Sequence, residues 1–202
     1  MKRSIQVLAL IATVAFWGTS AFAQVEQPSQ ISVQGTGLIT KSTDGNNSTY
    51  KTTKSGGFLL GYSYQFSPWA GVEGNYGYTR NTQNYSAQSG TSSIQADVHE
   101  ITGAFVAHFP TSAHNVRPYA LAGGGAVVFD PTTKYVVAGS QSQTRGAFVY
   151  GAGVNFDVVQ NFGIRAEYRG LVYKTPDFTV GSLNLDKFTH LAQPSVGFFF
   201  RF

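Results

Sequence analysis

Eight stretches of this chain alternate apolar with small or polar residues at a period of two, and this alternation limits the fold more than any other feature. Successive side chains of a β-strand point to opposite faces, so each stretch predicts a strand with one apolar face. Each is close to or above the ~9–11 residues that a tilted strand needs to cross a bilayer. The predicted strands are Ile31–Ile39, Gly57–Phe66, Trp69–Arg80, Val98–Phe109, Arg117–Phe129, Arg145–Asp157, Phe162–Lys174 and Lys187–Phe202.

The connections between these strands alternate strictly between short and long. Compact soluble domains seldom carry so many long loops without structure of their own. In a membrane β-barrel, by contrast, short turns face the periplasm and long loops face the outside. The pattern predicts an all-β, eight-stranded, antiparallel up-and-down transmembrane barrel. The short connections are 67–68, 110–116 and 158–161, and the long ones are 40–56, 81–97, 130–144 and 175–186.

The composition of the two faces indicates which one lies outside. Phe58, Leu60, Tyr62, Tyr64 and Phe66 share one face of the second strand, whereas the other face is mostly small. Small residues suit the crowded interior of an eight-stranded barrel, and aromatic residues suit lipid. Charged residues make up only 12% of the chain, against roughly 25% in ordinary soluble domains. The inverted alternative, a soluble barrel of the lipocalin sort with apolar residues inside, is disfavoured by the same contrast.

The first 23 residues have the features of a secretory signal peptide. Lys2 and Arg3 precede an apolar run that is too short to span a membrane as a helix, and 21–23 reads Ala-Phe-Ala. Cleavage after Ala23 is expected, followed by a short lead over 24–30 and the barrel over 31–202. Loss of Lys2 and Arg3 lowers the formal charge from +4 to +2, so nucleic-acid binding is not indicated. The chain has no cysteine and therefore no disulfide.

The end of the chain carries a resemblance to a known family. In the final stretch, 194–202 (PSVGFFFRF), the residues Val196, Phe198, Phe200 and Phe202 share one face of the last strand. An open sheet edge is not tolerated in lipid, so this strand is expected to pair with the first. A terminal Phe after alternating apolar residues resembles the C-terminal signature of bacterial outer-membrane barrels. The sequence RPYALAGGG at 117–125 resembles a strand common among small OmpA/OmpX-type barrels.

This resemblance implies a location and two partners. The protein is expected in a Gram-negative-type outer membrane, among outer-membrane lipid and lipopolysaccharide. Val196, Phe198, Phe200 and Phe202 would form the segment that the barrel-assembly machinery recognises. The sequence ends at the predicted barrel, without the peptidoglycan-binding domain of OmpA. Anchoring to the cell wall is therefore not expected from the resemblance.

A group of ionisable and amide side chains falls on the inward face. Isolated charges are not stable in a narrow, poorly hydrated interior, so these residues are expected to form paired networks. One interpretation is a purely structural ionic core. The other is a gated ion path, because small barrels of OmpA type are similar in having such a network. Glu73 and Arg165 are at similar heights and could bridge the lumen, in which case neutralising one would raise conductance. The predicted network comprises Glu73, Asn75, Glu100, Arg165, Glu167 and Arg169.

Aromatic residues near the strand ends predict two girdles at the membrane interfaces, where amphipathic rings are favoured. Sugar binding by the outer girdle is a weaker alternative. The predicted periplasmic girdle is Phe66, Trp69, Phe109, Phe156 and Phe162, and the predicted outer girdle is Tyr76, Tyr78, Phe129, Phe148 and Phe188.

Catalytic and metal motifs are weak. Lipid A deacylases of this strand number carry His-x-Ser, but His99, His108, His114 and His190 lack Ser two positions later. The sequence Asp-Gly-Asn at 44–46 resembles the start of a calcium loop but lacks its distant acidic ligand. No catalytic residue, metal or cofactor is predicted.

The sequence therefore predicts a monomeric outer-membrane barrel with a structural or surface-interaction role. Its extracellular loops would contact an unknown ligand. The alternative is a narrow pore or small-molecule conduit. A lipid A-modifying enzyme is the third and weakest possibility.

Overall fold

The computed structural model of the chain describes residues 26–41, 43–45, 48–53, 55–87, 90–113, 115–132, 141–176 and 187–202. The predicted signal peptide lies outside these residues. Within them, no helix is both long enough and apolar enough to cross a membrane. The strands are β1 Ser29–Thr40, β2 Thr43–Gly45, β3 Ser48–Thr52, β4 Ser55–Ser67, β5 Ala70–Ala87, β6 Gly90–His108, β7 Val116–Pro131, β8 Gln143–Val159, β9 Phe162–Lys174 and β10 Phe188–Arg201.

Eight of these strands close into an antiparallel barrel, which confirms the predicted fold. The order is β5-β4-β1-β10-β9-β8-β7-β6, and β5 pairs with β6 to complete the circle. The first and last strands meet in a seam that runs from the pair Gln30↔Arg201 to the pair Thr40↔Leu191. The end that holds the short connections and the start of β1 is called the turn end below. The opposite end is called the loop end.

The structure extends further at the loop end than the sequence predicted. Segment 81–97 was expected to be a loop, but β5 continues to Ala87 and β6 begins at Gly90. The register runs without a break from Arg80↔Asp97 to Ala87↔Gly90. The alternation of faces also continues there, because Gln83, Ile94 and Ala96 are buried. In water, strand pairing satisfies the backbone polar groups that such a segment would otherwise have to hydrate.

Two smaller differences concern the first strand and the loop after it. β1 begins at Ser29, two residues before the predicted start of the barrel at Ile31. The predicted loop 40–56 contains the short strands β2 and β3. β3 pairs with the extended part of β5, from Ser48↔Ala87 to Thr52↔Gln83, and adds a third strand to the hairpin. The other two long connections fall largely outside the described residues.

The aromatic rows lie on the outside of the barrel, as the alternation predicted. On β4, Phe58, Tyr62 and Tyr64 are 40–49% exposed, and on β8, Phe148 and Phe156 are also exposed. Each row alternates with buried or half-buried neighbours on the same strand. The inverted alternative, with the rings inside, is therefore excluded.

Glycines on the inward face allow neighbouring strands to approach closely. A Cβ atom at Gly123 would lie 2.0 Å from the carbonyl oxygen of Gly103 and 2.6 Å from Cα of Ala104. A Cβ atom at Gly197, on the seam, would lie 2.0 Å from the carbonyl oxygen of Val33. Only glycine fits at such positions, which lets a barrel of this small circumference close.

Candidate functional site: the charged interior of the barrel

The structure places all six predicted lumen residues inside the barrel. They come from β5, β6 and β9, whose inward faces carry them at alternate positions. Each is at most 5% exposed: Glu73, Asn75, Glu100, Arg165, Glu167 and Arg169.

Arg165 is the centre of the network. Its Nη1 lies 2.8 Å from Oε2 of Glu73, across the interior between β9 and β5. Its Nη2 contacts Oε2 of Glu167, two residues along β9. The guanidinium group also stacks over the ring of Tyr119, 4.5 Å from the ring centroid. Tyr119 in turn donates a hydrogen bond of 2.5 Å to Glu167, so one cation ties together three strands.

Arg169 forms a second group nearer the loop end. Its Nη2 lies 2.9 Å from Oε1 of Glu100 and donates a 2.6 Å hydrogen bond to Oγ1 of Thr102. Gln193, on β10, donates to Oε2 of Glu100 at 3.0 Å. Asn75 belongs to the first group, because its amide nitrogen donates to Glu73 at 2.9 Å. The six predicted residues thus form two linked clusters.

A third group, at the turn end, was not predicted from the sequence. Arg117 and Arg201 both bind Oδ1 of Asp157, at 3.0 and 2.7 Å. Arg201 also stacks over Phe199, 4.7 Å from the ring centroid. Its Nε donates to Gln30 across the seam at 3.4 Å. The inward parity of Arg201, two positions after the buried Phe199, was the signal that could have identified it.

The charges of the three groups balance. Four guanidinium groups face four carboxylates, so the three groups taken together form an ionic core without net charge. Buried ion pairs depend on close partners and further hydrogen bonds; each of these charges has an ion-pair partner, and Tyr119, Thr102 and Gln193 add hydrogen bonds. The members are Arg117, Arg165, Arg169 and Arg201 with Glu73, Glu100, Glu167 and Asp157.

An apolar layer fills the interior above Glu100, toward the loop end. Phe129 of β7 and Tyr173 of β9 pack with their ring centroids 5.6 Å apart. The first part of β6, at the loop end, contributes Ile94 and Ala96, both fully buried. The interior therefore has a charged half and an apolar half. The apolar residues at this level are Leu38, Ile94, Ala96, Val98, Val127, Phe129, Ala147, Val149, Leu171, Tyr173 and Leu191.

The position of Phe129 corrects one predicted girdle residue. Phe129 is 1% exposed and packs inside the barrel rather than against lipid. Phe129 was assigned to the girdle because it lies near a strand end, without regard to the face of the strand on which its side chain lies. On β7 the inward row holds the large residues Tyr119, Leu121 and Phe129, whereas the outward row is mostly alanine and glycine. On β7 the larger side chains therefore face inward, whereas on strands such as β4 and β8 they face outward.

The other predicted girdle residues lie on the outer surface. At the turn end, the ring of Phe105 lies 6.3 Å from Phe66 and 6.4 Å from Trp69. At the loop end, the ring of Phe58 lies 6.3 Å from Tyr76 and 5.7 Å from Tyr78. Residues at the strand ends that are more than a third exposed are Trp69, Tyr76, Phe109, Phe148, Phe156, Phe162 and Phe188.

The four residues of the predicted assembly signal form the outward row of β10. Val196, Phe198, Phe200 and Phe202 are 50–60% exposed. Their strand neighbours are fixed on both sides, because β10 pairs with β1 and β9. The ring of Phe198 stacks on Phe162 of β9 at 5.6 Å.

An exposed ion pair marks the loop end of β5 and β6. Arg80 binds both oxygens of Asp97, at 2.5 and 2.8 Å. The hydrogen bonds from this guanidinium hold the pKa of the Asp97 carboxyl below its usual range. Asp97 is also paired in register with Asp130 of β7.

Two histidines on the outer surface bind tyrosines. His99 shares a 2.8 Å hydrogen bond with the hydroxyl of Tyr76, and His190 shares a 2.9 Å hydrogen bond with that of Tyr150. Such pairs satisfy polar groups at an aromatic interface. Across the described part of the chain, no group of three or more His, Cys, Asp or Glu side chains could hold a metal ion.

Comparison with known proteins identifies the family. The model of the outer membrane protein beta-barrel domain matches residues 8–200. A search of curated proteins finds no match. Many solved structures are similar in fold; for the three that follow, the sequence identities are too low to show more than the fold.

These three structures are bacterial outer-membrane proteins. Ail of Yersinia pestis, solved with the heparin analogue sucrose octasulfate, is 22% identical; the match covers 88% of this chain and 100% of Ail, with a TM-score of 0.55. OprG of Pseudomonas aeruginosa is 12% identical, with 87% and 96% covered and a TM-score of 0.64. Neisserial surface protein A is 15% identical, with 86% and 97% covered and a TM-score of 0.63. The chain belongs to the outer membrane protein beta-barrel domain family and is a protein of the outer membrane.

Proposed function

We propose that this protein acts at the cell surface, through contacts made by its loop end, rather than as a channel or an enzyme. The observation that carries the proposal is the filled interior. Charged side chains fill the half of the barrel nearer the turn end, and apolar side chains fill the half nearer the loop end. A barrel of this strand number has room for its own side chains and little else, so the surfaces available for function are outside.

The loop end supports this proposal with ordered structure outside the membrane. In outer-membrane barrels the short turns face the periplasm, which directs the loop end of this chain to the exterior. The β5–β6 hairpin continues for seven residue pairs beyond Arg80↔Asp97, and β3 widens it. Binding functions are often carried by segments that a rigid scaffold holds in place.

Shortening this hairpin tests the proposal. Residues 84–93 would be replaced by Asn-Gly, which favours a tight hairpin turn and keeps the buried Gln83 and Ile94. Cells that produce the parent protein should adhere more than cells without it, and cells with the shortened hairpin should lose most of that gain. The surfaces would be plain polystyrene, heparin-coated polystyrene and neighbouring cells; heparin is included because Ail was solved with a heparin analogue.

A matched control would carry Thr111→Ala at the turn end, where no effect on adhesion is expected. Equal adhesion with and without the parent protein on all three surfaces would overturn the proposal. Lipid A from the same cells would be analysed by mass spectrometry. A change in acylation that depends on the protein would favour the enzymatic alternative.

The second candidate, a narrow conduit, is favoured by the polar and charged side chains that line the interior between Asp157 and Glu100. The apolar layer, however, closes the barrel a second time beyond these side chains. We therefore expect Glu73→Gln alone to leave single-channel conductance in planar bilayers at the parent level. Adding Phe129→Ala and Tyr173→Ala should open measurable conductance, because both closures are then weakened. A rise in single-channel conductance with Glu73→Gln alone would instead show that the charged half is the gate.

A further inference from the structure

A groove crosses the rim of the barrel at the turn end. It lies between the β4–β5 turn and the connection from β6 to β7, and its volume is about 350 Å³. This is within the size range of small-ligand sites, roughly 300–1,000 Å³. The walls are formed by Pro68, Trp69, Phe109 and Pro110, and the floor includes Arg117.

The walls of the groove are aromatic and face outward. Trp69 is 62% exposed and Phe109 is 52% exposed. Trp69 contacts the ring of Phe105 on the lipid-facing wall, with the ring centroids 6.4 Å apart. Exposed rings at this height are typical of the membrane–water interface. One side of the groove therefore opens toward the headgroup level of the leaflet at the turn end.

The floor of the groove is cationic. Arg117 shares the single carboxylate of Asp157 with Arg201, so this group of three carries a net charge of +1. The Nε atom of Arg117 is buried and has no hydrogen-bond partner among the described residues. His108 and Gln65 also line the groove, and its described lining includes no carboxylate side chain. Arg117 therefore offers an anion the free donor at Nε, beside the Nη2 group that already binds Asp157.

We propose that this groove binds the phosphate group of a phospholipid from the periplasmic leaflet. Arg117 would bind the phosphate oxygens, a pairing that guanidinium geometry favours. The first carbons of the lipid would lie against Trp69 and Phe109. A free inorganic anion would use the same cation but would gain nothing from the aromatic walls. This site lies at the end of the barrel opposite the proposed adhesive surface, so the two proposals can fail separately.

Native mass spectrometry of the purified, detergent-solubilised protein tests the site, with phosphatidylglycerol as the probe. The parent protein should retain one bound lipid. Arg117→Gln should lower the retained fraction about tenfold or more, because a hydrogen bond to a charged group contributes about 1.5–3 kcal/mol. Arg117→Lys should restore part of the binding, since it keeps the charge. Arg80→Gln, which neutralises an arginine at the loop end, is the matched control and should bind as the parent does.

Competition by inorganic phosphate and a folding check on each variant complete the test. Millimolar inorganic phosphate should not displace the lipid; complete displacement would assign the groove to a free anion and overturn the lipid proposal. Folding of each variant would be checked by its heat-dependent electrophoretic mobility. If Arg117→Gln does not fold, Phe109→Ser, at an exposed position, replaces it, and retention equal to the parent would overturn the proposal. Retention unchanged by a folded Arg117→Gln would overturn it as well.

Discussion

Replacing Arg165 with methionine should lower the free energy of unfolding by about 3–5 kcal/mol, the usual cost of removing one partner from a buried ion pair. Arg165 is 2% exposed, and its side chain is the main counter-charge for both Glu73 and Glu167. Methionine fills much of the same space but leaves two carboxylates close together in the interior. The stacking of the guanidinium on Tyr119 is lost as well.

The measurement is urea unfolding in detergent micelles, followed by the heat-dependent mobility shift on gels. The matched control is Arg80→Met, which removes an arginine from the exposed pair with Asp97 and should leave the unfolding midpoint unchanged. A second variant combines Arg165→Met with Glu73→Gln and Glu167→Gln. It should recover much of the loss, because neither carboxylate that Arg165 had paired is then left charged without its partner. A single Arg165→Met variant within about 1 kcal/mol of the parent would contradict the ionic core.

Replacing Gly123 with alanine should prevent the barrel from closing. The added Cβ would meet the backbone of β6, at 2.0 Å from the oxygen of Gly103 and 2.6 Å from Cα of Ala104. Real Cβ atoms do not approach backbone so closely, so β6 and β7 would have to separate and break their ladder. The cost should exceed the ~1–3 kcal/mol of ordinary overpacking, because a backbone cannot move aside as a side chain can.

Gly103→Ala is the control for this variant. Gly103 lies on the same pair of strands but faces outward, and a Cβ there would meet nothing within 4 Å. Refolding from urea into detergent should give a folded, heat-modifiable band for Gly103→Ala and little or none for Gly123→Ala. Equal yields of folded protein would show that the two strands can adjust their spacing.

The sequence predicted the strands where one face meets lipid, and it failed where that contrast ends. On β4 and β8, aromatic residues alternate with small ones, so both the strands and their faces could be assigned. Beyond Arg80 and Asp97, the inward face mixes the polar Asn81 and Gln83 with the apolar Ile94 and Ala96, and the outward face is mostly polar. The strands there contain Thr, Asn, Gln and Ser, which are equally common in loops. Hydrophobic periodicity carries no signal in such a segment.

The charged interior could be predicted as a set of residues and as one pair, Glu73 with Arg165, but the other pairs could not be predicted. Parity alone placed Glu73, Glu100 and Arg165 inside. Which atoms meet depends on the stagger of the strands around the barrel, since partners such as Glu100 and Arg169 come from strands that are not neighbours. The apolar half was missed for a related reason. Its members, among them Phe129 and Ile94, come from six of the eight barrel strands and form a layer only after closure.

The seam between β1 and β10 has a consequence for biogenesis. The hydrogen bond between Arg201 and Gln30 joins groups that are 171 positions apart, and such distant contacts form late because loop closure is costly. Until the final strand pairs, the barrel has two open edges, and such edges are templates for aggregation. Pairing of β1 with β10 thus removes both edges in a single step.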